Sequence, residues 1–113
     1  MNSVINFSDF HKVDIRLGTI IEAYSNDKLR KPSIVLKIDF GVDIGIKKSS
    51  AQIKKNYNEF DLIGKQIIAV INFQPKQIGN ILSEVLVLGL PDKDNEPILL
   101  TPPKKMKNGI RLY

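Results

Sequence analysis

The sequence predicts an all-β fold with short helices, and three observations carry that expectation. Branched apolar residues recur at a spacing of two over short runs. Glycine, proline, asparagine and aspartate punctuate those runs. Helical spacing is confined to two brief stretches, near residues 8–13 and 51–64.

Taken in order, Ser8 is expected to cap a short turn through SDFHKV, with Phe7 and Phe10 packed below it. DIRLGTIIEAY (14–24) reads as a first strand, and Gly18 inside it predicts a bulge or sharp coil. SIVLKIDFG (33–41) sets Ile34, Leu36, Ile38 and Phe40 on one face, with Val35, Lys37 and Asp39 opposite. VDIGIKKSS (42–50) follows at once, so the two form a hairpin. AQIKKNYNEFDLIG (51–64) spaces Ile53, Tyr57 and Phe60 as a helix would and ends at Gly64. QIIAVINF (66–73) is apolar on both faces and is expected to be the most buried strand. SEVLVLG (83–89) is a further strand, LPDKDNEP (90–97) an exposed turn-rich loop, and EPILLTP (96–102) a short segment ended by prolines. Five strands with a helix before the fourth is the order of a Greek-key OB-fold barrel. The expectation is one such domain over 1–113, with N- and C-terminal extensions at 1–13 and 98–113.

Those extensions carry VINF (4–7), ILL (98–100) and IRLY (110–113), apolar ends that need cover. With the two-faced IIAVI (67–71) they predict packing across a two-fold axis in a homodimer.

Composition narrows the chemistry. The chain has 113 residues, no cysteine and one histidine, which removes disulfides and thiolate sites. No apolar run is long enough to span a bilayer, and MNSVINFSDFHKVDIR lacks the pattern of a secretory signal, so no membrane insertion and a cytoplasmic location are expected. His11 sits beside Phe10 in the first turn, a place for packing or capping. Asp92 and Asp94 read as solvated loop charges, and Asp14 with Arg16 as an ion pair along one strand. No metal, phosphate-loop or nucleotide motif is present, so neither catalysis nor a cofactor is expected.

Binding is better served. Net charge is +5, and residues 28–76 hold ten bases against four acids, a field that attracts polyanions. IKKSSAQIKKNY (46–57) sets Lys48 beside Ser49, Ser50 and Gln52, which can donate to phosphate or sugar oxygens. KLRKP (28–32) brings Lys28, Arg30 and Lys31 to the loop between strands one and two. NFQPKQIGN (72–80) places Asn72, Phe73, Pro75 and Lys76 in a connector too long and polar for a tight turn. OB-folds bind through the loops after strands one and four, so KLRKP and QPKQIGN are predicted to border the site.

Five markers in order then resemble the tRNA-binding-domain family of OB-folds. They are Asp14-x-Arg16-x-Gly18-x-Ile20, Ile38-Asp39-Phe40-Gly41, Lys48-Ser49-Ser50-Ala51-Gln52-Ile53, Gly64-Lys65-Gln66-Ile67, and Asn72-Phe73-x-Pro75-Lys76 continuing to Ser83-Glu84. The sequence is most similar to the CsaA-type branch, described as export-related chaperones. Val85-Leu86 follow Ser83-Glu84 where synthetase-type members read Gly-Met, and Ser25-Asn26-Asp27-Lys28-Leu29 replaces their His-Pro-x-Ala-Asp stretch. The resemblance implies a homodimer with affinity for tRNA or similarly shaped RNA and for unfolded or exported polypeptides, with export machinery as a further partner. By motif position it puts the binding surface on Lys48, Ser49, Ser50, Gln52, Asn72, Pro75, Lys76 and Ser83.

Two roles follow. An RNA binder would hold folded RNA through phosphates, since aromatic content is only 7% and offers little base stacking. A chaperone would use an apolar cleft by Phe73, Ile78 and Ile81, rimmed by Lys76 and Lys48. A free-standing module that delivers tRNA to another enzyme is the alternative.

Overall fold

In the computed structural model the described residues are 2–28 and 30–113. Met1, the first residue of the predicted N-terminal extension, and Leu29, inside KLRKP, lie outside them.

One strand organises the molecule. β1 (Ile15–Asn26) pairs with β4 (Gln66–Val70) through its first half and with β2 (Ser33–Asp39) through its second, both antiparallel. Thr19 is the hinge of this arrangement, partnering both Asp39 and Gln66. β3 (Ile46–Ala51) adds beyond β2, and β7 (Leu86–Val87) beyond β4, giving the order β3-β2-β1-β4-β7. This five-stranded sheet curls into a half-barrel of the OB type, as the sequence predicts. Two hairpins complete it: β5 (Lys76–Ile78) with β6 (Ile81–Ser83), and β8 (Gly89–Pro91) with β9 (Pro97–Leu99).

Curvature comes from two places on β1. The register slips between Ile20 and Glu22, so the bulge lies at Ile21 and not at Gly18 as expected. Gly18 instead makes room, since a Cβ there would stand 2.6 Å from Ile38 Cγ2 and 2.8 Å from the Phe40 ring. The bare backbone lets the inner side chains of β2 lie against it. Ile34, Leu36, Ile38 and Phe40 form the inner row predicted from their alternation, joined by Ile20, Ile67, Ala69, Val85 and Leu99. Burying each of these larger side chains contributes about 1.5–3 kcal/mol. Val35 is buried on the opposite face too, so β2 and not β4 is the most buried strand. β2 is laddered along its length by β1 and β3, whereas β7 pairs with only Ala69 and Val70 of β4 and Ile68 is left half-exposed.

Both helical expectations shrink. α1 (Phe7–His11) is capped by Asn6, whose capping box with Asp9 makes Ser8 an interior residue. Phe7 stays 73% exposed and stacks on His11 at 5.8 Å. Of the 51–64 stretch only α2 (Glu59–Leu62) is helical, started by Asn58 accepting from the Asp61 amide. Ala51 belongs to β3, opposite Ile34. Ile53 instead enters the core, and the Tyr57 hydroxyl accepts from the Leu99 amide at 2.9 Å. Leu62 is fully buried in the core.

The C-terminal segment folds back on its own chain. Its main chain bonds to Ile15 and Leu17 through Leu112 N, Gly109 N and Ile110 O, covering the edge of β1 that β2 leaves free. Arg16 pairs with Asp14 at 2.6 Å, as predicted, and donates to Gly109 O, while Arg111 approaches the same carboxylate at 3.5 Å.

Candidate functional site

The half-barrel is closed where β3 meets the segment leading into β7. No ladder forms there. Glu84 N donates to Lys48 O at 2.8 Å, and the Glu84 carboxylate accepts from Lys48 N at 3.0 Å. Ser83 Oγ accepts from Ser50 N at 3.0 Å. Two side chains thus stand in for a strand.

Beside this seam runs a groove of about 400 Å³, with Phe73, Lys76, Ile78, Ser83 and Leu86 on its walls and Ser50 at its floor. A smaller hollow of about 300 Å³ continues it, sharing Ser50 and Leu86 and reaching Gln52, Pro97 and Leu99. Among the described residues the Ser50 hydroxyl is shut from solvent and has no hydrogen-bond partner.

The polar connector of 74–80 is a hairpin here. Gly79 and Asn80 form its two-residue turn, Gly79 at φ 60°. Its tip is tied to the first predicted loop, since Asn26 Nδ2 donates to Asn80 Oδ1 at 3.1 Å. The loop of Lys28, Arg30 and Lys31 and the hairpin of Lys76 are therefore neighbours, and all four cations are exposed. Lys54 steadies the loop through Asp27 at 3.1 Å.

The sequence-predicted residues divide accordingly. Phe73, Lys76, Ser50 and Ser83 meet in the groove, with Ser49 and Gln52 in its continuation. Ser83 also closes the barrel. Lys48 and Ser50 share a strand face by alternation, but the Lys48 side chain stands outside both hollows, across from Lys37. Ser49 faces the core, 2% exposed. The Asn72 amide is engaged: it donates to Lys12 O at 2.7 Å and accepts from Asp14 N at 2.9 Å, clamping the start of β1. Pro75 is exposed beside the groove without lining it. Ile81 lies outside the groove also, and Leu86 takes the wall it was expected to form. Leu86 is hidden in the sequence because its run reads as continuous core; it is 49% exposed.

The groups whose proton affinity the fold moves stand away from the groove. The Glu22 carboxylate, bonded to Lys37 at 3.0 Å, raises that ammonium above its ordinary value. The Ser25 hydroxyl lowers Glu59, joining β1 to α2. Among the described residues no three His, Cys, Asp or Glu side chains gather to hold a metal ion, and no helix is long and apolar enough to cross a membrane.

The family described as "Putative tRNA binding domain" matches residues 15–111. The crystal structure of chaperone CsaA from Bacillus anthracis superposes with a TM-score of 0.90 at 46% identity, covering 98% of this chain and 100% of that one. CsaA chaperone protein from Picrophilus torridus gives 0.89 at 49% identity, covering 97% and 100%. The methionine–tRNA ligase of Parabacteroides distasonis is 33% identical over 107 residues, 93% of this chain. The chain spans only 15% of that ligase's length. Matched end to end by the CsaA structures and over most of its length by the family, the chain belongs to the tRNA-binding-domain family of OB-folds, in its CsaA-type branch.

Proposed function

We propose that the protein is a non-catalytic, cytoplasmic, CsaA-like chaperone for unfolded or exported polypeptides that also has the capacity to hold tRNA. One observation carries this: the seam groove combines apolar walls, Phe73, Ile78 and Leu86, with a cationic rim at Lys76. Apolar side chains of an extended polypeptide fit the walls, and its polar groups meet the rim at Lys76. The end-to-end likeness to two structures named as CsaA chaperones supports the same reading.

RNA is the second ligand because the exposed cations Lys28, Arg30 and Lys31 flank the hairpin that carries Lys76. Positive side chains spread along a rim meet phosphates without reading bases. Delivery of tRNA to a separate enzyme is the form this activity takes if polypeptides do not bind.

The test measures both ligands on one pair of variants. Phe73→Ser should abolish suppression of light scattering from an aggregating client, with tRNA affinity kept. Lys48→Ala with Lys76→Ala should lower the slope of log affinity against log salt for tRNA by about 2. Its melting temperature should stay close to wild type, because neither ammonium is in an ion pair among the described residues. A wild-type protein that leaves client scattering unchanged while binding tRNA would defeat the chaperone reading.

A further inference from the structure

A second hollow, about 830 Å³, opens at the Thr19 hinge of β1 and shares no lining residue with the seam groove. Its far wall is the irregular segment 101–108. That segment is pinned by side chains. Gln66 donates to Met106 O at 2.7 Å and accepts from Met106 N at 2.9 Å, and Thr19 Oγ1 donates to Asn108 Oδ1 at 2.7 Å. The pins hold Lys104, Lys105 and Lys107 round the hollow opposite Lys65. Among the described residues none of these four lysines is in an ion pair. The one carboxylate on the wall, Asp39, already accepts from Gly41 N at 2.9 Å.

Four like charges line one hollow and repel; Lys104, Lys105 and Lys107 are exposed, on a segment whose main chain is pinned at Met106. The arrangement gains by accepting a counter-anion, and lysine ammoniums suit phosphate as compact point charges. Ile21, pushed outward by the bulge and 39% exposed, adds an apolar wall with Met106. The size is that of a small-ligand pocket, about 300–1,000 Å³.

We propose that this hollow is a second anion site, which binds phosphate groups through Lys65, Lys104, Lys105 and Lys107. The phosphates come from a free polyphosphate or from an RNA backbone. The site stands whether or not the seam groove takes polypeptide.

Inorganic pyrophosphate is the probe, titrated at fixed ionic strength with sodium chloride as control, followed by thermal shift and calorimetry. Wild type should bind saturably. Lys104→Gln/Lys105→Gln/Lys107→Gln should bind at least about tenfold more weakly, whereas Lys48→Ala/Lys76→Ala should bind normally. The corresponding triple Lys→Arg variant should retain binding, which separates charge from packing. If pyrophosphate does not bind but the triple Gln variant lowers the tRNA salt slope by about 3, the site is real and its phosphates are those of RNA. Equal pyrophosphate binding by the triple Gln variant would overturn the proposal. So would no pyrophosphate binding together with an unchanged tRNA slope.

Discussion

A methyl group at position 18 has nowhere to go: Ile38 and Phe40 are both fully packed and belong to the inner row of β2. Gly18→Ala is expected to cost about 1–3 kcal/mol, the usual range for overpacking, and urea unfolding would measure it. Gly45, at φ +87° with nothing within 4 Å of a Cβ, should lose only about 1–2 kcal/mol on the same change, from backbone strain alone. At this scale the sequence is legible where partners are near. Asp14 and Arg16 are two residues apart on one strand, and their ion pair follows from alternation. Asn72 is not legible as a clamp, because the amide it holds is 58 residues distant. Ser49 and Ser50 look alike in sequence, and only strand register sends one to the core and the other to the groove.

Elements that differ from their sequence pattern share one physical cause. Ile53 and Tyr57 are spaced as on a helix, yet each serves a different partner, the core and the Leu99 amide. Period alone cannot separate these cases when the segment is short. The β8–β9 hairpin makes the opposite point. Asp92 and Asp94 read as solvated charges, but the Asp92 carboxylate accepts from Glu96 N, Asn56 Nδ2 and Asp94 N. These bonds, that from Glu96 N foremost, hold its pKa below the ordinary 3.8. A carboxylate lowered in the folded state stabilises the fold above its ordinary value, and that contribution is lost as pH falls through the lowered one. Asp92→Asn should therefore flatten the decline in stability below about pH 4, as read from urea midpoints across pH.

For the whole molecule, the OB-type strand succession is legible because apolar alternation and turn residues are local signals. The expected strand 83–89 is broken among β6, β7 and β8, and the expected loop 90–97 is part of the β8–β9 hairpin. The charge distribution is only partly legible. Averaging over the last third hides a separation: residues 77–96 hold four acids and one lysine, residues 97–113 four bases and no acid. The apolar ends are a whole-molecule matter too. Phe7, Leu112 and Tyr113 stay exposed round a shallow hollow of about 240 Å³, though the main chain behind them folds back on β1. A second copy is the proposed cover. Sedimentation should find a dimer, and Phe7→Ser with Tyr113→Ser should weaken self-association by about tenfold or more, since buried aromatic anchors dominate such interfaces.

The join at Ser83 and Glu84 is bonded differently from the rest of the sheet. Every other neighbour in the sheet is held by a ladder, whereas this lip hangs on one main-chain bond and two side-chain ones. Thermal opening starts where protection is thinnest. An occupant of the adjoining groove would bridge both lips and act as a clasp, and the expected outcome is that tightness of grip and resistance to unzipping rise together.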